Sequence, residues 1–560
     1  MLGTRLILFI SFLFIVGCNV LPGETKFPTG TPTPGYYGPN ALAEVEQIHT
    51  LPKSDTIATS CEVYNLQNIT KTTPCSCTAG VCTVGLKGNP GFTGQANFNY
   101  RYYSNGKRFN NTHGTFNIIP VVPFVSTWRV GDASYGDGDN TVTLPLRSGF
   151  NYNFTVEWGD GNTAQVTAHD DIDIDHTYGL PGDYTITIIG LVEAWYFDNT
   201  GDKDKIISIS ELGTVGWKSF GNAFHGCSKL TTITGGDTSN VTDMSGMFSF
   251  ASAANPNTSN WDTSNVIDMS SMFRNADTAN PDTSNWNTSN VSNMSHMFDD
   301  AIVANPDTSN WDTSNVTNMS YMFDSANAAD TGNWDTSSVT DMSFMFYYVS
   351  WTPNTTNWDT SNVTNMRRTF AFSDANPDVS NWDVSKVEDM TRMFANTTSA
   401  TPDTSSWTTT SLTNLDGMFS YASIANPDTR GWDVSKVTVM RDLFEYAVNA
   451  NPDTSLWDTS MVLSMEGMFS GATSADPVMS SWDFSSIQIL EDVFNGITLS
   501  TANYDDFLIR MDATGPTSPP LVFDGIHGGS SRYTGGGAAA TARSNLVSNG
   551  WIILDGGVAP

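Results

Sequence analysis

Positive charge is scarce in this chain of 560 residues: 25 Lys and Arg stand against 58 Asp and Glu, a formal net charge of −33. Such a surface repels polyphosphate backbones, which removes nucleic acid from the expected partners. Long apolar runs are scarce too. The run Leu6 to Val16, preceded by Arg5, falls short of the roughly 20 residues a helix needs to cross a bilayer. Catalytic signatures are missing: there is no HExxH, GxSxG or Walker-type loop, and the 7 histidines are scattered, so no enzymatic activity is expected. Hydrophobic residues are not lacking. At 39% they suffice for folded structure, and the length implies several domains.

The short apolar run ends in Phe14-Ile15-Val16-Gly17-Cys18, which resembles the lipobox of bacterial lipoproteins. The resemblance implies a signal peptide over residues 1–17, cleavage before Cys18 and acylation of that cysteine, with two or more chains giving a stable anchor. Residues 18–55, with Pro22, Pro28, Pro32 and Pro34, read as a tether. Of the 6 cysteines, Cys61, Cys75, Cys77 and Cys82 lie within 22 residues. In an exported chain they are candidate disulfide partners, with three pairings open. Cys227 is expected to be a small buried residue.

Residues 56–122 contain alternating, β-branched and aromatic runs separated by Gly-Asn-Pro-Gly and Ser-Asn-Gly turns, which predict antiparallel strands. The stretch Pro90-Gly91-Phe92-Thr93-Gly94 through Phe98-Asn99-Tyr100 resembles cadherin- and immunoglobulin-like modules of bacterial surface proteins. In residues 124–200, Phe154 to Trp158 meets Gly159-Asp160-Gly161-Asn162, and His176-Thr177-Tyr178 leads into Tyr184 to Ile188. These segments resemble the polycystic-kidney-disease (PKD) β-sandwich, which implies a packing role for the Trp, His and Tyr. Asp170, Asp171, Asp173 and Asp175 are the metal candidates, since carboxylates suit Ca²⁺. Their alternation with isoleucine also describes a strand with one wet face.

The dominant signal is a period. Trp261 through Trp482 recur every 23 to 25 residues, and Phe248 through Phe494 keep step. One unit runs Trp311-Asp312-Thr313-Ser314-Asn315-Val316-Thr317-Asn318-Met319-Ser320-Tyr321-Met322-Phe323. A period this short predicts stacked coils, with Val316, Met319, Met322 and Phe323 pointing inward because no single unit can bury them alone. The spacing is read as a short strand turning into one helical or 3₁₀ turn. The repeats resemble the Met-Phe-rich class of the BspA family of leucine-rich-repeat surface proteins, first noted in mycoplasma lipoproteins. The resemblance includes a leading segment, Trp217 to Cys227, and a trailing one from Leu499 to Gly557.

The expected fold is therefore multidomain: N-terminal β-sandwich modules, then a leucine-rich-repeat-like α/β solenoid of about eleven repeats over residues 205–499, then a C-terminal cap over 500–560 with a helix from Ala538 to Val547. The resemblance implies a lipid-anchored protein of the bacterial envelope, at the outer membrane or cell surface. It would act as an adhesin or a protein- or glycan-binding scaffold for host, matrix or envelope ligands. The alternative is a structural spacer without a ligand. One column marks a candidate binding face. The residue before the second core position is small or acidic in most repeats, but in five consecutive ones it is His296, Tyr321, Phe344, Arg368 and Arg392, with Arg367 alongside. Aromatics and arginines make interface hot spots, and they also stack on sugar rings or grip carboxylates.

Overall fold

The structure is a computed structural model and describes residues 36–37, 41–42, 46–51, 58–79, 81–89, 93–104, 107–119, 122–327, 329–519 and 525–560. The signal peptide, Cys18, most of the tether and Pro90-Gly91-Phe92 lie outside the described residues. No helix among them is long and apolar enough to cross a membrane.

Two sheets form the first unit. One runs Tyr36–Tyr37, Lys107–Ile119, Gly94–Ser104, Ser60–Gln67, with Ala41–Leu42 also on Lys107–Ile119; the other runs Glu46–Leu51, Val81–Gly88, Ile69–Thr78. Alternation explains the long strand Gly94–Ser104: Ala96, Phe98, Tyr100 and Tyr102 are buried while the residues between them are not, as a period of two requires. These rings and Val84, Leu86 and Phe116 make a core separate from the rest.

A third sheet, in the next unit, continues into the repeats. Its order is Thr163–Val166, Tyr152–Glu157, Gly182–Val192, Phe124–Val130, Ile206–Glu211, Thr232–Ile233, Asn255–Pro256. Ile206–Glu211 pairs antiparallel with Phe124–Val130 on one side and parallel with Thr232–Ile233 on the other. The strand thus joins the sheet to the first coil, and a single hydrophobic cluster runs from Phe124 to Ile553.

The repeats lie on one another in parallel register. Isolated parallel bridges run Ser219, Asp243, Asp268, Asn293, Asn318, Asp341, Asn365 and onward to Ile489, one per coil. Inside, like side chains form ladders. Phe298, Phe323 and Phe346 stack at 5.8 and 6.1 Å between centroids, and Trp286, Trp311, Trp334 and Trp358 stack within 5° of parallel. Val316, Met319, Met322 and Phe323 are fully buried.

The expected α/β leucine-rich-repeat-like solenoid is not what these repeats build. The described elements are strands and turns, with one 3₁₀ turn before the repeats and two α-helices, Thr501–Thr514 (α1) and Ala538–Ser548 (α2), both of which follow the repeats. The reason lies in backbone sign. In the segment from Met319 to Ala326, Tyr321 and Ser325 have φ of 57° and 55°, which a right-handed helical turn cannot contain. Amide hydrogens consequently alternate in direction. Met322 N donates to the Met319 carbonyl within the coil, whereas Tyr321, Phe323 and Ser325 donate to Ser343, Met345 and Tyr347 of the next coil.

Polar corners complete each coil. Asp312 Oδ1 accepts from the Ser314 amide and hydroxyl (3.1 and 2.6 Å), an Asx turn. The buried Thr313 hydroxyl donates to the Asp335 carbonyl one coil on (2.9 Å), and Asn315 Nδ2 donates to Ser289 O one coil back (2.7 Å). The stack ends on α1, N-capped by Ser500, whose Phe507 packs edge-on against Phe494 at 5.1 Å.

Candidate functional site

The Met-Phe segment of every coil contains two left-handed positions. The first column is Gly246, Ser271, His296, Tyr321, Phe344, Arg368, Arg392, Gly417, Asp442, Gly467 and Asp492; its non-glycine members have φ between 52° and 57°. Glycine takes this conformation freely, whereas an L side chain costs about 1–2 kcal/mol there. His, Tyr, Phe and Arg therefore sit where glycine would be the unstrained choice, and such retained strain points toward function.

The candidate residues of the binding face come together. His296 stacks on Tyr321 at 4.3 Å and 11°, and Tyr321 on Phe344 at 4.2 Å and 9°. Arg368 closes the column, its guanidinium 5.5 Å from the Phe344 centroid. Arg392 follows one coil on, and Arg367 lies beside Arg368; all six side chains are half-buried. Tyr321 is covered on both faces, by His296 and Phe344, and Phe344 by Tyr321 and Arg368, so neither ring offers a free face for a sugar to stack on. What points outward is ring edge, which carries partial positive charge, together with the arginines.

The second column, four residues further on, carries no mark in the sequence reading. It holds Phe250, Tyr348, Phe372, Tyr421 and Tyr446, all left-handed. Tyr348 stacks on Phe372 at 5.0 Å and Tyr421 on Tyr446 at 4.8 Å. The signal that finds it is the same period counted at an offset of four.

Acidic groups flank the arginines. Asp299 is held by Arg274 (3.0 Å) and His296 (2.7 Å). One coil on, burial and then the nearby Asp299 and Asp300 charges push the Asp324 carboxyl up to about 7. On the other side, burial and the Glu445 charge push Asp442 up to about 6.

The remaining candidates have structural explanations. Cys61 pairs with Cys75 and Cys77 with Cys82, so the close sulfurs of Cys61, Cys77 and Cys82 are engaged in disulfides. Cys227 is buried and unpaired, and burial pushes its thiol up. Asp170, Asp171, Asp173 and Asp175 are not gathered into a cluster of three or more ligand atoms within 4.8 Å of one another, and the strand with one wet face expected through them does not form as a single element. Asp171 caps a 3₁₀ turn, Ile172–Ile174, and accepts from Thr167; Asp175 opens the strand Asp175–Thr177 and accepts from the Thr143 hydroxyl. His176 stacks on Trp158 at 4.7 Å and meets Asp160 at 2.8 Å, and the Tyr178 hydroxyl donates to the Trp158 carbonyl.

One ionic cluster escaped the sequence reading. The Lys205 ammonium is fully buried and contacts Asp137, Asp139 and Asp202 at 2.7, 2.6 and 2.8 Å, with the Thr141 carbonyl at 3.0 Å. These charges raise the lysine above its usual range against the effect of burial, and the lysine holds Asp139 well below the carboxylate range.

A family model described as "Mycoplasma protein of unknown function, DUF285" matches residues 218–332, 326–431 and 399–507. No curated protein and no solved structure matches the chain.

Proposed function

The chain belongs to the family described as Mycoplasma protein of unknown function, DUF285, and we propose that it is a lipid-anchored surface protein whose coil stack is a binding scaffold. The likeness of its Met-Phe repeats to BspA-type surface proteins, and of residues 124–200 to PKD modules, belongs to the same reading. So does acylation of Cys18 at the end of a lipobox-like run.

The observation that carries the proposal is the column His296, Tyr321, Phe344 and Arg368. A spacer needs only buried ladders and soluble corners, and glycine or serine at these positions would serve it better. Strained aromatic and arginine side chains, half-exposed on a chain of net charge −33, have the composition of a contact hot spot. Covered ring faces and outward cations favour an acidic ligand over a neutral sugar.

The test is the variant Tyr321→Ser, Phe344→Ser, Arg368→Ser, Arg392→Ser, compared with wild type for attachment to host cells, matrix proteins and a glycan array. The reading expects attachment to fall while the circular dichroism spectrum is unchanged. A folded variant that attaches undiminished assigns the stack to a spacer role.

A further inference from the structure

Charge along the face of the two left-handed columns changes sign once in the second half of the stack. In the coils of Phe346, Phe370 and Phe394 the positions beside the second core residue and just after the phenylalanine carry Arg367, Arg368 and Arg392 and the rings of Phe344, Tyr348 and Phe372. Asp341 and Asp389, which precede the first methionine, accept from the Ser343 and Thr391 amides. In the coils from Phe419 to Phe494 the equivalent positions carry Asp416, Asp442, Glu445, Glu466, Glu491 and Asp492. Their one cation, Arg441, is already paired with Asp416 at 2.9 Å. The raised Asp442 carboxyl reflects this crowding: after burial, it is the charges of Glu445, Asp416 and Glu466 that oppose its ionisation.

We propose that the occupant of this face is a second copy of the same chain, packed antiparallel about a two-fold axis between the coils of Phe394 and Phe419. The proposal rests on the reading of this face as a binding face and names its partner. A two-fold contact must be self-complementary, and a face half cationic and half acidic meets that condition only when the coil order reverses. Reversal sets the coil of Phe370 against that of Phe444, and the coil of Phe346 against that of Phe469. Arg368 then faces Asp442 and Phe372 faces Tyr446, while Arg367 falls opposite Arg441, whose charge Asp416 already holds at 2.9 Å. Phe344 and Tyr348 face Gly467 and Gly471, over which the Asp442 carboxylate and the Tyr446 ring of the same chain lie. Each pairing is made twice.

Aromatic rings run through the contact. Tyr348, Tyr421 and Tyr446 are 54%, 48% and 47% exposed, and exposed rings between charged flanks match the anatomy of protein interfaces. The acids on the N-terminal side of the arginines do not compete equally, because Asp299 is already held by Arg274 and His296. Parallel packing would lay arginine on arginine and carboxylate on carboxylate.

Sedimentation velocity of the full chain tests the proposal. Wild type should sediment as a dimer at high concentration, with a dissociation constant at least about ten-fold weaker when salt rises from about 0.1 M to about 1 M. The variant Arg367→Glu, Arg368→Glu, Arg392→Glu should be monomeric, and so should Glu445→Lys, Glu466→Lys, Glu491→Lys. Mixed in equal amounts, the two should recover the dimer, because both halves of the contact become complementary again; that recovery also shows that each variant is folded. A wild type monomeric throughout, a single swap that still dimerises, or a mixture that stays monomeric overturns the proposal. Attachment to foreign surfaces is read separately by the serine variant, so a monomeric wild type that attaches through the column refutes self-association alone.

Discussion

The rings of Tyr321 and Phe344 lie 4.2 Å apart, centroid to centroid, and 9° from parallel, on two residues that share a φ of 57°. The stack of coils makes this possible. Each coil repeats the same left-handed residue at the same place, so side chains that leave it travel in one direction and meet their counterparts face to face. The contact offsets part of the backbone cost, since an aromatic pair contributes about 0.5–1.5 kcal/mol beyond area burial.

Arg392 has no such ring contact, which makes it the cleanest probe of backbone strain. Arg392→Gly should be more stable than Arg392→Ala by about 1 kcal/mol, the reverse of the usual order, because alanine keeps the left-handed penalty and glycine removes it. Thermal melts of the two variants check this. Equal stability, or a more stable alanine variant, contradicts the left-handed assignment.

Phe346 is fully buried between Phe323 and Phe370. Phe346→Ala should destabilise the stack by about 3–5 kcal/mol, because a ladder with fixed spacing cannot close on the cavity. Hydrogen exchange should quicken in the adjoining coils while the two sheets around Val84 and Phe98, which share their own core, keep their protection. Unchanged exchange at Met322 and Thr369 would mean the ring is not part of the load path.

Asp324 should make the stack more stable in mild acid. Its folded carboxyl titrates near 7 against an ordinary value of 3.8, so between those values the folded state binds more protons than the unfolded one. The stabilisation is complete below about pH 4 and is lost as pH rises through 7. Discounted for its partial exposure, the effect is on the order of 1–2 kcal/mol. Asp324→Asn should melt higher than wild type at pH 8 and show a smaller loss of melting temperature between pH 5 and pH 8. A variant with the wild-type pH slope would contradict the raised carboxyl.

Lys205 joins the loop carrying Asp137 and Asp139 to the turn at Asp202. Lys205→Met should cost about 3 kcal/mol, the lower end for a broken buried pair, because Asp137 and Asp139 keep access to water. The melting temperature should fall, more at pH 7 than at pH 4, where the carboxylates begin to neutralise. A methionine variant as stable as wild type would show that packing alone holds this loop.

Much of the array could be read in advance from residues such as Val316, Met319, Met322 and Phe323. Their spacing recurs in every repeat, and only stacking can bury such a set, so their inward direction followed from the hydrophobic effect alone. The Asp-Thr-Ser-Asn corners were legible for a similar reason, since short polar side chains bond to backbone within two residues of themselves. The helix at Ala538–Ser548 followed from local propensity. The helical turn expected around Met319 failed because Tyr321, Phe344 and Arg368 are not residues that signal positive φ. Their conformation is imposed from outside, by amides that must reach carbonyls of the next coil.

Composition and period thus determined, by themselves, that the chain is acidic, repetitive and layered, and which side chains form the layers, because burial and local hydrogen bonding act on near neighbours. Tertiary structure alone decided the rest. It paired Cys61 with Cys75 and Cys77 with Cys82, gathered Asp137, Asp139 and Asp202 around a lysine up to 68 residues away, and stacked His296, Tyr321 and Phe344 into one column. Each of these depends on which distant backbone lies within a few ångströms, and that is set by the register of one coil on the next rather than by any residue's own preference.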